Sequence, residues 1–365
     1  MAGGGGRGGG MTTVAVHAGQ LLQPVPGGIG RYVTHLLAAL PAVGVDPIAF
    51  AAGPVPPGVD PATRWVDLGW PRGPLRYELW HRVRRPRVPV DADVVHATSL
   101  AVPPPGRRPL VVTVHDVVFL RQPELLTRRG VAFHRRGLAL ARREAAAVIV
   151  PTEYGRDDLA AEGFAPDRIH VAPHGVEVGP PTGAPPPAPG PYLLFVATLE
   201  PRKGLEDLLA AHQRLRARHP DLALVLAGRP GWGVPADTDR PGVVVAGNLD
   251  DGALDAAYRG AVALALPSRY EGFGLQVVEA MARGCPVVTS DAACLPEVGG
   301  GANIIVPVGD VDALTDALGE LVADDGRRAR LAAAGRTRAA TFTWARSAAA
   351  HAAAYDAARE REREA

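Results

Sequence analysis

Along the first half of the chain, short apolar runs alternate with longer stretches in which apolar residues recur every three or four positions. The runs "TTVAVHA" (12–18), "DPIAFAA" (46–52), "ADVVHA" (92–97), "PLVVTVHD" (109–116), "AAVIVP" (146–151) and "RIHVAP" (168–173) predict strands. Helical spacing predicts helices roughly over 29–40, 75–85 and 126–144, and another from Thr152 onward. Strands rich in Val and Ile on both faces, separated by helices, predict a parallel sheet covered on both sides.

The pattern then repeats. Strands are predicted at "YLLFVAT" (192–198), "LALVLAG" (222–228), "GVVVAG" (242–247), "AVALALP" (261–267), "PVVTS" (286–290) and "ANIIVP" (302–307), with helices between them. A last helical run, "TWARSAAAHAAAYDAAREREREA", ends in a charged stretch that reads as a solvated helix end. Between the halves, 7 of the 14 residues of "VGPPTGAPPPAPGP" (178–191) are proline, the composition of a stiff extended linker. The expected organisation is a disordered Gly-rich leader (1–10), a first α/β domain (11–178), a proline-rich linker (179–190), a second α/β domain (191–340) and a terminal helix (341–365). Translation starts at Met1 or at Met11. Open α/β sheets bind ligands outside the carboxyl ends of their strands, so two such domains predict an active site in the cleft between them.

Composition adds three facts. No apolar run reaches the ~18 residues of a membrane span, and the leader lacks the apolar core of a secretory signal, so the expected location is cytoplasmic. Cys285 and Cys294 lack metal or redox spacing and read as reduced core thiols. Net charge is +1, but between Arg64 and Arg143 there are 16 arginines against 6 acids, whereas residues 181–365 sum to −4. That basic zone, with "HRVRRPR" and "RRGVAFHRRGLALARRE", suggests an anionic lipid or lipid-phosphate contact at the inner face of the membrane; a solvated basic helix face fits equally, and no nucleic-acid partner is expected. Of the 39 Lys plus Arg, one is lysine, Lys203.

Four stretches carry chemistry. In "PSRYEGFGLQVVEAMARGCPVVTS" a strand ends at Pro267, Glu271 lies in the loop, and Glu279 lies on the second turn of the helix that follows. Gly272 and Gly274 let a ligand approach the backbone and leave helix N-terminal amides for an anion. In "ATLEPRKGLEDLLAA", Arg202 and Lys203 sit where a strand gives way to a helix, and cations are unfavourable at a helix N-terminus unless an anion lies between. In "QPVPGGIGRYVTHLL", Gly27, Gly28 and Gly30 open a helix, but Val33 stands where a dinucleotide fingerprint needs its third glycine, so the expectation is a flexible loop lining the cleft. In "VVTVHDVVFL", His115 and Asp116 end an apolar strand on the ligand side; His96 is placed similarly, and His174 reads as a turn or hinge feature.

In this order, "GGIGRY", "VHD", "VPTEYGRDDL", "LEPRKG" and "EGFGLQVVEAMARGCPVVTS" resemble the retaining glycosyltransferases of family 4 over nearly the whole chain. The last stretch is similar to that family's E-x7-E motif, Glu271 to Glu279, and "GGIGRY" with "HD" is most similar to the bacterial mannosyltransferase branch. The resemblance implies the GT-B fold: two Rossmann-like doubly wound α/β domains facing each other across a cleft, with the C-terminal helix crossing back to the first. It implies a nucleotide-diphosphate sugar donor, best GDP-mannose, a glycan or lipid-linked acceptor, no cofactor and no metal. Carried over, Arg202 and Lys203 bind the donor diphosphate, Glu279 holds the ribose, and Glu271 lies at the donor sugar. The amides of Gly272, Phe273, Gly274 and Leu275 hold sugar hydroxyls and phosphate. His115 and Asp116 sit at the transferred sugar, Gly28 and Gly30 face phosphates and acceptor, and Asn248 and Leu249 lie near the nucleobase. The chain departs from the family at Ala197, usually Gly, at Gly204, frequently Asn, and at His174, commonly Asn.

In such a reaction the cations and helix amides stabilise charge on the leaving diphosphate. The resemblance favours front-face attack, whereas a carboxylate such as Glu271 also fits a covalent scheme. A nucleotide-cofactor oxidoreductase is disfavoured by Val33 and by "AFAAGPV", which lacks an acid after the second strand. A sugar-nucleotide sensor without turnover is disfavoured by the intact carboxylate motif. A UDP- or dTDP-sugar donor is the alternative within the enzyme class.

Overall fold

The computed structural model describes residues 11–231 and 237–364; the expected leader lies outside the described residues. The chain forms two compact units. The first comprises the chain through Pro151, then Arg156–Gly175, and the stretch from Trp344; the second comprises Thr152–Gly155 and Val176–Thr343.

The first unit holds a seven-stranded parallel sheet of order β3-β2-β1-β4-β5-β6-β7. Its strands are β1 (Thr12–His17), β2 (Val45–Ala51), β3 (Arg64–Asp67), β4 (Val94–Ala97), β5 (Leu110–Thr113), β6 (Ala145–Val150) and β7 (Ile169–Val171). Both faces are covered, and alternation along a strand divides its side chains: Val14 and Val16 join one core, Ala15 the other. The apolar runs mark six of these strands. They miss β3, whose sequence "RWVD" has exposed charged ends and lies at the sheet edge, where one side of a strand needs no apolar partner.

The second unit holds a six-stranded parallel sheet of order β10-β9-β8-β11-β12-β13. Its strands are β8 (Tyr192–Val196), β9 (Ala223–Ala227), β10 (Val243–Gly247), β11 (Ala263–Leu266), β12 (Val287–Ser290) and β13 (Ile304–Val306). Leu193 and Phe195 face one core while Tyr192 and Leu194 face the other. In each unit the strand order reverses beside the first strand, the doubly wound topology whose switch point opens a crevice at the carboxyl edge. The proline-rich segment read as a linker lies with the second unit: Ala188 is buried in its core, Thr182 donates to the Gly252 carbonyl at 3.0 Å, and Arg259 donates to that of Gly179 at 3.1 Å.

The terminal helix Trp344–Glu364 belongs to the first unit. Its buried residues, Trp344, Ser347, Ala348, His351, Ala354, Tyr355 and Ala358, recur every three or four positions and so form one stripe. Two of them complete a buried polar chain. Tyr355 Oη lies 2.9 Å from His96 Nδ1, and His96 Nε2 lies 2.8 Å from Thr113 Oγ1. Thr113 Oγ1 is 2.9 Å from Tyr32 Oη, which is 2.8 Å from His351 Nε2. His351 Nδ1 contacts the Ser347 carbonyl at 2.7 Å. The network therefore stitches the last helix to β4, β5 and the helix Gly27–Ala39.

Burial holds His351 and His17 down to about 4 and pushes His96 and His174 well below 6.5. Between pH 6.5 and about 4 the unfolded chain binds protons that these folded sites exclude, so stability is full above pH 6.5 and falls as pH drops through that window. The expected slope is up to about 1.4 kcal/mol per pH unit for each such histidine. Four of the 5 tryptophans, Trp65, Trp70, Trp80 and Trp344, lie in this unit, so urea unfolding followed by fluorescence reads it directly. A His351→Gln variant should show a shallower slope, and a flat profile for the parent would contradict the neutral network.

Candidate active site

At the second sheet's switch point, β8 and β11 are neighbours, and the chain leaves them toward opposite sides. The loop after β8 carries Glu200, Arg202 and Lys203; the loop after β11 carries Ser268 and Glu271. The two loops meet through charge. Lys203 Nζ donates to Glu271 Oε1 at 2.6 Å, and Ser268 Oγ donates to the same oxygen at 2.7 Å. Arg202 lies 3.4 Å from Glu271 Oε2, donates to the Tyr270 carbonyl at 3.1 Å, and grips Glu200 Oε1 from two nitrogens at 3.0 and 2.6 Å. The Arg269 amide donates to the Arg202 carbonyl at 2.7 Å, and Cys294 Sγ donates to that of Glu271 at 3.2 Å.

Glu200, Lys203 and Glu271 are all buried. Burial by itself raises the Glu271 pKa, but the charges of Lys203 and Arg202, with hydrogen bonds from Lys203 and Ser268, outweigh it and hold the carboxyl below its ordinary value. Burial lowers the Lys203 pKa below that of a free lysine, against the opposing pull of Glu271. Within the protein, Glu200 and Glu271 are the carboxylate partners of these two cations. The cations also do not sit on the helix itself. Pro201–Lys203 form one 3-10 turn, Gly204 follows in the left-handed region (φ +67°), and the helix Leu205–Arg216 starts after it, with Glu206 and Asp207 in its first turn. A Cβ on Gly204 would lie 2.0 Å from the Pro267 carbonyl oxygen. Asn tolerates the left-handed region, so it is this approach to the β11 loop that selects glycine here.

Gly274 (φ +83°) caps the helix Leu275–Ala282, and Leu275 is its first residue. Phe273 is buried edge-on to Phe342, centroids 5.6 Å apart, which anchors the turn formed with Gly272. Glu279, in the second turn, is buried and accepts from Tyr258 Oη at 2.8 Å. Arg283 stacks over the Tyr258 ring at 5.5 Å and donates to the Glu279 carbonyl at 3.1 Å and to Asp255 at 2.8 Å. Asn248 and Leu249 follow β10, just before Asp250 caps the helix Asp251–Gly260; Asn248 is exposed and Leu249 packs against the core.

In the first unit, His115 Nε2 lies 2.8 Å from the Thr98 carbonyl. Its ring contacts Tyr32 edge-on at 5.1 Å and lies 5.5 Å from His174. Burial lowers its pKa, while that hydrogen bond and the charge of Asp116 act the other way. Asp116 Oδ1 accepts from the Val118 amide at 3.1 Å, so His115 and Asp116 are tethered to different groups. His174, read as a turn or hinge feature, is buried among the rings of Tyr32, His115 and Trp344. The glycine stretch differs from expectation. The helix Gly27–Ala39 begins at Gly27, so Gly28 and Gly30 occupy its first turn instead of a loop, and a Cβ on Gly30 would lie 2.1 Å from Pro26 Cβ.

The basic zone divides into two groups. Arg76, Arg84 and Arg108 donate to backbone carbonyls, Arg121 pairs with Asp158 and Glu162, and Arg136 pairs with Glu78. Arg72, Arg82, Arg85, Arg87, Arg128, Arg129 and Arg135 are exposed. Among the described residues no group of three or more His, Cys, Asp or Glu is arranged to hold a metal ion, and no helix is long and apolar enough to cross a membrane.

The positions at both strand-to-helix junctions were legible from "LEPRKG" and "EGFG", but their supports were not. Glu200, Ser268 and Tyr258 are polar residues in ordinary surroundings until the switch point brings them in; Tyr32 and His351 lie more than three hundred residues apart.

Two doubly wound sheets, with a cation pair and two carboxylates at the switch point of the second, define a glycosyltransferase of the GT-B kind. Residues 184–338 match the family model "Glycosyl transferases group 1", and residues 26–179 match "Glycosyltransferase Family 4". The chain is 32% identical to the MMP alpha-(1->4)-mannosyltransferase of Mycolicibacterium hassiacum, over 91% of this chain and 95% of that one. It is 37% identical to the O-antigen chain mannosyltransferase B of Escherichia coli over 42% of each. Among solved structures it is similar to sucrose-phosphate synthase of Thermosynechococcus elongatus (TM-score 0.72, 21% identity, 94% of this chain and 98% of that one). It is also similar to Anabaena HepE in complex with UDP-glucose (TM-score 0.68, 18% identity, 97% and 100%). The chain belongs to the family 4 glycosyltransferases.

A Gly204→Asn substitution separates backbone conformation from close approach. It is expected to destabilise the protein by more than about 1 kcal/mol, because the side chain meets the Pro267 carbonyl. Differential scanning calorimetry should show a lowered transition, and an unchanged one would mean that φ alone governs this site.

Proposed function

We propose that this enzyme transfers mannose from GDP-mannose, with retention of anomeric configuration, to a glycan or lipid-linked acceptor. The observation that carries the reading is the buried Glu200–Arg202–Lys203–Glu271 cluster at the β8/β11 switch point, with Glu279 on the adjoining helix. Mannose is supported by the activity that the names of two similar proteins carry.

In this reading Arg202 and Lys203 stabilise charge developing on the leaving diphosphate. Their carboxylate partners hold them in position beforehand, so little reorganisation is needed as the bond breaks. Glu271 lies at the donor sugar, the amides of Gly272 through Leu275 bond hydroxyls and phosphate, Glu279 holds the ribose, and Asn248 and Leu249 lie at the base. His115 and Asp116 act at the transferred sugar, and Gly28 and Gly30 at phosphates and acceptor. The leaving phosphate assists deprotonation of the acceptor in a front-face attack, without a metal. The exposed arginines of the first unit meet anionic lipid at the inner face of the membrane. A UDP- or dTDP-sugar donor is the second reading, favoured by the UDP-glucose bound to a protein of similar fold.

A thermal-shift screen of GDP-mannose, UDP-glucose and dTDP-glucose decides between donors. GDP-mannose at 100 times its Kd is expected to add about 2.7 kcal/mol of stability, and a shift with UDP-glucose alone would transfer the assignment to the second reading. Lys203→Ala should lower kcat/KM by about a hundredfold or more while unfolding stays cooperative. Near-normal turnover would remove Lys203 from the mechanism. Lys203→Arg, which keeps charge but not shape, should also be impaired; full activity there would mean that charge alone matters.

A further inference from the structure

Trp70 is the most exposed large apolar side chain among the described residues, at 81%. The backbone that carries it is nevertheless braced from below. Arg76, only 2% exposed, donates to the Pro71 carbonyl at 2.7 Å and to the carbonyls of Leu68 and Gly69 at 3.0 and 3.1 Å. The Gly69 amide donates to Asp67 Oδ1 at 2.8 Å. A buried cation thus bonds carbonyls on both sides of an outward-facing indole. Burying a charge is costly unless its hydrogen bonds are satisfied, and here those bonds fix a surface loop. A ring ordered in advance loses less freedom when it meets a partner.

The neighbouring helix, Gly73–Val83, continues the surface. Leu75 (49% exposed), half-buried Leu79 and Val83 (58% exposed) stand at i, i+4 and i+8, one stripe along its solvent side. Exposed Arg72 and Arg82 flank the stripe, and Arg85 and Arg87 follow it. The one acid of this helix, Glu78, is paired with Arg82 at 2.8 Å and Arg136 at 3.0 Å. An amphipathic indole, aliphatic side chains and the exposed arginines Arg72, Arg85 and Arg87 match a bilayer interface: indole at headgroup depth, aliphatics at the acyl boundary, guanidinium groups on phosphates. A glycan platform would favour hydrogen-bonding side chains for sugar hydroxyls, whereas the helix that follows this loop presents Leu75, Leu79 and Val83 along its solvent side.

We propose that the Trp70 loop and the exposed stripe of helix Gly73–Val83 dock on an anionic lipid bilayer, with Trp70 as the inserted anchor. This rests on the lipid contact inferred above and assigns it to one surface and one aromatic residue.

The test is co-flotation of the full-length protein with vesicles of phosphatidylcholine alone or with a third phosphatidylglycerol. The parent protein should float with the anionic vesicles only. Trp70→Ser should lower the bound fraction about tenfold, Trp70→Phe should retain most of it, and Leu75→Ser with Val83→Ser should fall between. Each variant should keep the parent's thermal shift with the donor, which reports folding independently of lipid. If the parent binds no vesicle, the lipid reading itself fails and this inference with it. If the parent floats and Trp70→Ser floats equally, lipid contact stands but the anchor is overturned. If Trp70→Ser keeps lipid binding and loses affinity for an oligomannoside, the surface is a glycan platform and the proposal is wrong.

Discussion

The ion pair between Lys203 and Glu271 is the point on which the second unit's organisation converges. The doubly wound order sends the chain from β8 to one side of the sheet and brings β11 in on the other, so their two loops would otherwise diverge. A 2.6 Å contact between buried charges joins them, and Arg202 doubles the joint through the Tyr270 carbonyl. Buried ion pairs of this kind rarely exceed apolar packing in net stability, because both charges must leave water. Stability therefore does not explain why two acids and two cations are gathered here. Fixed charge at the carboxyl edge does, and Gly204 lets the loops come close enough for it.

The first unit has the same topology but a different kind of polar interior. Its buried chain of His96, Thr113, Tyr32, His351 and Tyr355 is made of imidazoles and hydroxyls. Burial keeps the rings neutral, and each ring nitrogen in the chain that bonds a hydroxyl or carbonyl gains direction instead of charge. The last helix contributes two of the five groups, so the C-terminal segment helps build the interior beside Tyr32, whose ring packs on His115. One unit thus gathers compensated charge at the carboxyl edge of its sheet, the other an interior chain of oriented neutral groups.

Most of the architecture was written in local patterns. Apolar runs and helical spacing mark twelve of the thirteen strands among the described residues; β3 escaped because an edge strand can be short and polar at both ends. The E-x7-E spacing and the strand-to-helix junctions put Glu271, Arg202 and Lys203 in loops at the carboxyl ends of strands and Glu279 on the helix that follows, where the structure has them. Pairing was not legible, because it depends on which loops the strand order makes adjacent: Glu200 and Ser268 become partners of the cations and of Glu271 only through the switch point. Charge counting was misleading for the same reason. Arg76 and Arg84 enter a sum like Arg85 and Arg87, yet the first two bond carbonyls of their own unit while the others face water.

The single lysine in a chain with 38 arginines follows from the different work of adjacent positions. Arg202 uses the breadth of a planar fork, reaching Glu200 with two nitrogens and the β11 loop with the third. Lys203 is 7% exposed and meets an oxygen already bonded by Ser268, a space that admits one compact donor. A second fork there would compete with Ser268 for Glu271 and with Arg202 for the loop carbonyl. Arginine satisfies the position that spans two loops, whereas the position enclosed between them calls for a point charge on a flexible stem. The compositional exception therefore marks the most sterically constrained cation of the cluster.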